Sequence, residues 1–569
     1  MAELARAASL LLLVFASALA TQGWATVETA PTQPNVLLII ADDLGWGDIG
    51  ALGSEIPTPH IDSLAAEGVL FTNFHTAATC SPSRAMLLTG VDTHLAGLGN
   101  MITFMPPNQR GKPGYEGHLN QRVRTLGELF QEAGYITGFF GKWHLGEEPG
   151  QLAHDRGFDH TLTLVTGGSD NWSALGAAPV RPPVEPFSRD GMLIERPEGF
   201  SSALYTNELL RFLNGPAARS TTPFLAVLSF QAVHWPHHAP DEALARHRDR
   251  YHGGWDEVRR LRHSKLIESE LLPAGTPMRE RDPQVPAWSE VGAEERRSEA
   301  LRMAAYAAML DDMDTHIGRV LDELERSGRS RDTLVVFVSD NGPDPSEPDQ
   351  APLAVPWYSA RYPKTSDETI GRRGSFPSYG PQWAQTGAIH LRGYKGRSWE
   401  GGMRVPLIMR YPAELAGGKR IDAFAFAPDL VPTLLDSAAI AHPAEGARED
   451  GGSELHAPTG RSAWAVLQGA EHRIHPADEA VGYELMTTAA LFQGDYKLVR
   501  NGPPRGDGEW RLFDLMRDPG EVEDLSGRLP ERAASMEQAF DAYSARVGIV
   551  PVPEDYDVFK MLIGPPRQR

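Results

Sequence analysis

Four apolar runs in this chain each end in a polar cluster that could do chemistry. Asp42-Asp43 follow Asn35–Ala41, and Gly141-Lys142-Trp143-His144 follow residues 135–140. His234 follows residues 224–230, and Asp340-Asn341 follow Thr333–Ser339. Such runs suit strands buried on both faces of a parallel sheet. Ligands of open α/β sheets bind outside the carboxyl ends of the strands. The four exits therefore deliver carboxylates, an amide, a lysine and two histidines to one rim. Asp42, Asp43, Asp340 and Asn341 offer only oxygen ligands, the amide acting through its carbonyl. That set suits Ca²⁺ or Mg²⁺ rather than zinc. Without a cation, three converging carboxylates would repel and raise one another's pKa values. Each taken singly is also an ordinary turn or capping residue. In His234-Trp-Pro-His237-His238, Pro236 breaks a helix and no third soft ligand is near, so a metal pair is disfavoured. The segment reads as one catalytic histidine, His234, among solvated ones.

Cys80 is the single cysteine. This excludes an intramolecular disulfide and any cysteine-based zinc or iron–sulfur site. An inert core thiol, an intermolecular link and a reactive centre remain, and the first is the most frequent role of a free cysteine. The local pattern, Cys80-Ser-Pro82-Ser-Arg84 with Gly90 closing, predicts a helix start. Cys80 then sits at the positive end of a helix dipole, with Arg84 one turn on, and this favours an anion beside residue 80.

The elements that must position these residues follow from the rest of the chain. It has 569 residues, of which 41% are hydrophobic, enough for a large core. The length allows two or more domains, or one large domain with a satellite. The 54 Lys+Arg against 75 Asp+Glu leave a net charge of −21, which argues against nucleic-acid binding. An apolar run at residues 7–20 is too short to span a bilayer and ends in Ala18-Leu19-Ala20. It reads as a secretory signal peptide over 1–20, or to about residue 25, and predicts a periplasmic or secreted protein. A mis-assigned start would make it cytoplasmic. No other run is long enough for a membrane span, so the mature protein is expected to be soluble.

The periodicity predicts a helix over 125–133, strands over 135–140 and 224–230, and a long helix over 299–328. On that helix Leu310, Met313, Ile317, Val320, Leu321 and Leu324 share a face, with Gly328 as the cap. Alternating helices and apolar strands predict an α/β fold with a large mixed, mainly parallel sheet flanked by helices. Residues 343–393 break the pattern and hold Trp357, Tyr358, Tyr362, Phe376, Tyr379 and Trp383. They read as an ordered insertion lining the site. Trp143 and Trp235 flank candidate residues and suit either an aryl pocket or core packing. Further on, strands over 496–500 and 509–515 precede a helix bearing Met536, Phe540, Tyr543 and Val547, ended by Gly548. They predict a smaller C-terminal antiparallel sheet plus helix, dividing the chain into 30–440 and 441–569. Asn171-Trp-Ser173 is a glycosylation sequon, relevant in a eukaryotic secretory host.

Cys80-x-Pro-x-Arg84-x-x-Leu-x-Thr-Gly90 resembles the signature of the type I sulfatases. Gly141-Lys-Trp-His-Leu-Gly146 is similar to their second signature. The Asp42-Asp43 pair, Asp340-Asn341, Lys395 within Tyr394-Lys-Gly…Gly401-Gly-Met-Arg-Val-Pro406, and the tail Leu512-Phe-Asp-Leu…Asp518-Pro-Gly-Glu…Asp524-Leu525 also match. The resemblance runs from about residue 35 to about 547 and is nearest to bacterial arylsulfatases. It implies an alkaline-phosphatase-like fold and hydrolysis of sulfate monoesters, aryl sulfates first. It also implies that a maturation enzyme oxidises Cys80 to formylglycine, whose hydrated form attacks sulfur as a covalent catalyst. Asp42, Asp43, Asp340 and Asn341 would hold one Ca²⁺, with Mg²⁺ the lesser alternative. Arg84 would orient residue 80, and Lys142 and Lys395 would bind sulfate oxygens. His144 would contact the hydroxyl deprotonated for sulfate elimination, and His234 would protonate the leaving oxygen. Two alternatives share these residues: a phosphonate monoester or phosphodiester hydrolase, and a sulfate- or sulfoglycan-binding protein in which Cys80 stays unconverted.

Overall fold

In the computed structural model, an eleven-stranded sheet forms the centre of the molecule. The structure describes residues 33–179, 184–215, 222–350, 354–444, 455–503 and 505–557. The leader expected over 1–20 lies outside them. In chain order the strands are β1 (Asn35–Ala41), β2 (Val69–His75), β3 (Ile136–Lys142), β4 (His160–Leu164), β5 (Phe187–Arg189), β6 (Met192–Ile194), β7 (Phe224–Ser229), β8 (Thr333–Ser339), β9 (Arg404–Arg410), β10 (Lys419–Ile421) and β11 (Ala425–Phe426). Their spatial order is β10-β2-β9-β8-β1-β7-β3-β4-β5-β6, with β11 beside β2. The block β8-β1-β7-β3-β4 is parallel, and β9 runs antiparallel between β8 and β2. The carboxyl ends of β8, β1, β7 and β3 therefore lie side by side.

The central strand shows why the sequence folds this way. Successive side chains of a strand point to opposite faces. Val36, Leu38 and Ile40 enter one core while Leu37, Ile39 and Ala41 enter another. A strand buried on both faces needs an unbroken apolar run, and β1 has one.

β1 and β8 match the predicted bounds, while β3 runs on to Lys142, making that lysine the last strand residue. Thr125 caps the next helix, Leu126–Glu132, through a capping box with Glu128. The long helix begins earlier than the periodicity predicts and spans Ala293–Arg326. The added residues 293–298, Ala-Glu-Glu-Arg-Arg-Ser, are polar and bury nothing against the core, so they carry no hydrophobic periodicity. The 343–393 insertion holds two short helices, Val355–Arg361 and Gly380–Ala388. Tyr358, Tyr362 and Phe376 form a cluster against which Trp235 and Trp357 pack. Trp383 belongs instead to the main core, edge-on to Trp255 and Trp288. No helix among the described residues is long and apolar enough to cross a membrane.

The second sheet has four antiparallel strands, β12 (Ala480–Leu485), β13 (Thr488–Gln493), β14 (Tyr496–Asn501) and β15 (Arg511–Asp514). The first two escaped the sequence reading because they are short and alanine-containing. One face of this sheet packs on the Pro530–Val547 helix through Leu491, Leu498, Leu512, Met536 and Phe540. The other face, with Tyr483, Leu485, Phe492 and Val499, shares a core with Phe71, Phe426 and β1. Polar groups pin the junction. Tyr543 donates to Asp92 Oδ2 at 2.8 Å, and His94 lies 2.9 Å from Glu484 Oε2. Burial works against a charged His94, but Asp92 and Glu484 outweigh it and raise its pKa to about 9.

A group whose pKa is raised on folding stabilises the native state below its unfolded value and loses that contribution as pH passes the folded value. The His94 contribution is therefore complete below about pH 6.5 and lost through about pH 9. Thermal unfolding across that window should show the wild-type advantage over His94→Gln shrinking as pH rises. Tyr543→Phe should cost about 1 kcal/mol or more in denaturant titration, because Asp92 loses a buried donor.

Candidate active site

Each strand exit is held open by its own backbone. Asp42 donates its N–H to Ala232 and accepts at its carbonyl from Val233, which ties β1 to the His234 loop. Asp43 is left-handed, with φ 64°, and its N–H donates to Asp340 Oδ1 at 3.2 Å. Leu44 donates to Ser339 Oγ, locking the β1 and β8 exits together. His144 is also left-handed, with φ 61°, and its N–H donates to Val165. Two non-glycine residues in a sparsely populated region, both at strand exits, mark where the backbone is bent to aim side chains.

The Cys80–Thr89 helix is buried along its whole length, and Gly90 closes it at φ 72°. Arg84 projects from it to the sheet rim. Its Nε donates to Asp340 Oδ2 at 2.8 Å, and its Nη1 donates to the Lys142 carbonyl and to Ser229 Oγ. Lys142 Nζ lies 2.5 Å from Asp42 Oδ2. Lys395 reaches in from a separate loop, 2.6 Å from Asp43 Oδ1 and 3.0 Å from Asp344 Oδ2. Asn341 Nδ2 donates to Asp43 Oδ1 at 2.7 Å. Cys80 Sγ lies 3.7 Å from Asp43 Oδ1, and His234 Nε2 lies 3.7 Å from Asp43 Oδ2. Asp42, Asp43, Cys80 and Asp340 offer ligand atoms all within 4.8 Å of one another. The tertiary structure thus brings together Asp42, Asp43, Cys80, Arg84, Lys142, His234, Asp340, Asn341 and Lys395. His144 stands two residues past Lys142 at the same rim.

The electrostatics follow from burial. Desolvation raises the carboxyls of Asp42 and Asp43 to about 6, although Lys142 lowers the first and Lys395 the second. Burial also opposes the charge of Asp340, but Arg84 and the two lysines outweigh it and hold its carboxyl below the usual range. Burial pushes the Cys80 thiol well above its ordinary value despite Lys142 and Lys395. As a cysteine it is therefore a poor thiolate nucleophile at neutral pH. Burial lowers His234 to about 4, which leaves it neutral at neutral pH.

The donor set fits a hard cation. Asp42 Oδ1 and Asn341 Oδ1 are buried acceptors without a hydrogen-bond partner. Buried polar atoms are nearly always paired. Two orphaned oxygens beside two further carboxylates make a cage of the kind that Ca²⁺ or Mg²⁺ fills.

The family model for sulfatases matches residues 34–440. The chain belongs to the sulfatase family. A second model, described as N-sulphoglucosamine sulphohydrolase, C-terminal, matches residues 394–540. An uncharacterized sulfatase of Schizosaccharomyces pombe is 37% identical over 92% of this chain and 96% of its own length. An arylsulfatase of Klebsiella aerogenes is 36% identical over 72% of this chain and 87% of its own. Among solved structures, Ps i-CgsB in complex with k-i-k-neocarrahexaose superposes with a TM-score of 0.62 at 23% identity, covering 90% of this chain and 93% of that one. The fold is the alkaline-phosphatase-like fold of sulfatases, and family membership supports hydrolysis of sulfuric esters.

Several residues of this sulfatase escaped the sequence reading. Asp344 accepts from Lys395, from Trp235 Nε1 at 2.9 Å and from the Ser346 N–H. Burial opposes its charge, but Lys395 and then His234 outweigh that and hold its carboxyl well below the usual range. It lies four residues past Asp340, where only strand exits drew notice. Ser229 and Ser339 close β7 and β8 and join the network as small hydroxyls. One expectation is corrected. His237 and His238 are buried, not solvated, because the insertion covers them: His237 packs edge-on to Tyr306 and Tyr379, and His238 Nε2 meets the Ser375 carbonyl. Asn171 is also buried, donating to the Pro236 carbonyl and accepting from Ser201, so the folded sequon is inaccessible. Trp143 is core, edge-on to Phe139 and Phe158, whereas Trp235 packs on Phe376 and reaches the site's Asp344 through its indole N–H.

If the cage holds a cation, Ca²⁺ at a hundred times its Kd should stabilise the fold by about 2.7 kcal/mol. Differential scanning fluorimetry with and without Ca²⁺ measures it. Asn341→Ala, which removes one oxygen and no charge, should leave little of that shift.

Proposed function

We propose that this sulfatase cleaves sulfate monoesters of aryl alcohols, using formylglycine made from Cys80 and one Ca²⁺ held by Asp42, Asp43, Asp340 and Asn341. The observation that supports this best is the position of Cys80. It begins a buried helix and sits inside a ring of oxygen ligands, with Arg84 one turn on and two lysines alongside. Formylglycine at residue 80 would supply a hydrated aldehyde as the nucleophile toward sulfur. A cation held in the oxygen cage by Asp42, Asp43, Asp340 and Asn341 would supply Lewis acidity and neutralise charge on the ester.

The side chains divide the remaining work. Arg84, held by Asp340, Ser229 and the Lys142 carbonyl, fixes the helix start and so the direction of residue 80. Lys142 and Lys395 bind sulfate oxygens as negative charge gathers on them, in a site where little water screens it. His144 would contact and orient the hydroxyl of residue 80 that gives up its proton. His234 would face the ester oxygen and, protonated once the anionic ester is bound, would donate the proton the alcohol needs to leave. The catalytic part is residues 30–440, with 441–569 as its C-terminal partner, and the leader directs the protein to the periplasm or outside the cell.

Intact mass of the peptide spanning Cys80 tests the modification. A lighter peptide, with thiol replaced by aldehyde, is expected when the maturation enzyme is present. Cys80→Ala should abolish release of phenol from a chromogenic aryl sulfate while leaving the unfolding transition in place. Retained turnover would exclude the mechanism. A kcat/KM higher for a phosphonate monoester than for the sulfate ester would move the assignment to that chemistry.

A further inference from the structure

Beside the proposed sulfate site lies a cation that none of the roles above uses. Arg505 stands in the connection between β14 and β15, and its Nη1 donates to the Gly396 carbonyl at 2.7 Å. Gly396 directly follows Lys395, and its own N–H donates to the Ala78 carbonyl, two residues before Cys80. A Cβ on Gly396 would come within 2.9 Å of the Arg505 Cζ, so the guanidinium lies against this loop. The charged and titratable groups that act on Arg505 most strongly are Tyr556, Arg397, Asp344 and Tyr483. Among the described residues the Gly396 carbonyl is its one hydrogen-bond partner, and no carboxylate pairs with it. The single acid among the facing groups, Asp344, is already engaged by Lys395, Trp235 and Ser346.

Keeping a guanidinium partly buried without a counter-charge is costly, and such a group binds planar oxyanions through two parallel N–H bonds. Lys142 and Lys395 are each paired with carboxylates and, in the proposed mechanism, are taken up by the sulfate itself. A substrate with a second negative group therefore needs a cation of its own, outside the set that holds the sulfate.

We propose that Arg505 forms a second anion subsite, which selects sulfate esters whose leaving group carries a further carboxylate or sulfate. This rests on the sulfate-ester hydrolase reading. Nη1 stays on Gly396, while Nε and Nη2 receive the second anion. The C-terminal sheet thereby contributes leaving-group specificity, and the large sheet contributes the chemistry.

Steady-state kinetics with 3- and 4-carboxyphenyl sulfate, against their neutral methyl esters, tests this. In Arg505→Gln, whose amide can still donate to Gly396, kcat/KM for at least one carboxylate isomer should fall about tenfold or more, mainly through KM. The matching methyl ester should change by less than about twofold in kcat/KM. Arg505→Lys should recover part of the loss. Equal losses on acid and ester would show that Arg505 is only a strut for the Gly396 loop and would overturn the proposal. No selective loss on either isomer would overturn it too. Calorimetric binding of the same pairs to C80A, with and without R505Q, reads the subsite independently of turnover. Tighter binding of the acid that disappears with R505Q supports the subsite even if wild-type turnover fails and the hydrolase reading falls.

Discussion

Three buried carboxylates at one sheet rim set the terms for everything around them. Asp42, Asp43 and Asp340 are almost wholly shielded from water and offer atoms within 4.8 Å of one another. Like charges so placed repel strongly where water does not screen them. The protein answers with Arg84 from a helix, Lys142 from a strand and Lys395 from a loop. Compensation is uneven. Arg84 grips Asp340 and keeps it ionised, while burial leaves Asp42 and Asp43 raised to about 6. The remaining deficit, with the orphaned oxygens of Asp42 and Asn341, is what a divalent cation would fill. The global charge of −21 is irrelevant at this scale, because the local balance is decided within a few ångströms.

The same constraint explains why the small sheet is fused so closely to the large one. The loop carrying Lys395 has little regular structure of its own. It is braced from the C-terminal side. Asn501 accepts from the Ser398 N–H, Glu521 accepts from the Glu400 N–H, and Lys497 bridges Glu400 and Glu521 in full burial. His75, at the end of β2, closes this network on Glu400 at 2.9 Å. Tyr483 accepts from the Ala78 N–H at 2.9 Å and so steadies the turn before Cys80. Removing one member of such a network leaves a charge buried without its partner, so its members hold one another in place.

Legibility in the sequence varied with the kind of signal. β1 and β8 were readable to the residue because a strand buried on both faces must be continuously apolar. The start of the long helix was not, since residues 293–298 form a polar turn that buries no apolar side chain. Residues 343–393 were recognised as ordered by their aromatic content. That content could not tell Phe376, which packs under Trp235, from Trp383, which lies in the main core. His237 and His238 looked solvated because nothing local showed that the insertion folds over them. Asp344 was missed for the same reason: its role exists only once Lys395, some fifty residues away in the chain, arrives beside it.

By itself the sequence determined the types of group available, the strands that carry them and the end of the sheet where they emerge. A periodicity of two, an apolar run and a helix-starting Cys-x-Pro-x-Arg are local properties, written in neighbouring residues. Tertiary structure alone decided the charge pairing: which lysine meets which aspartate, that Arg84 spans Asp340 and Ser229, and that Arg505 has no carboxylate partner among the described residues. Those outcomes depend on distances between segments hundreds of residues apart. In a buried site an ångström of separation, or one missing water, changes the energy of a charge more than any neighbour in the sequence does.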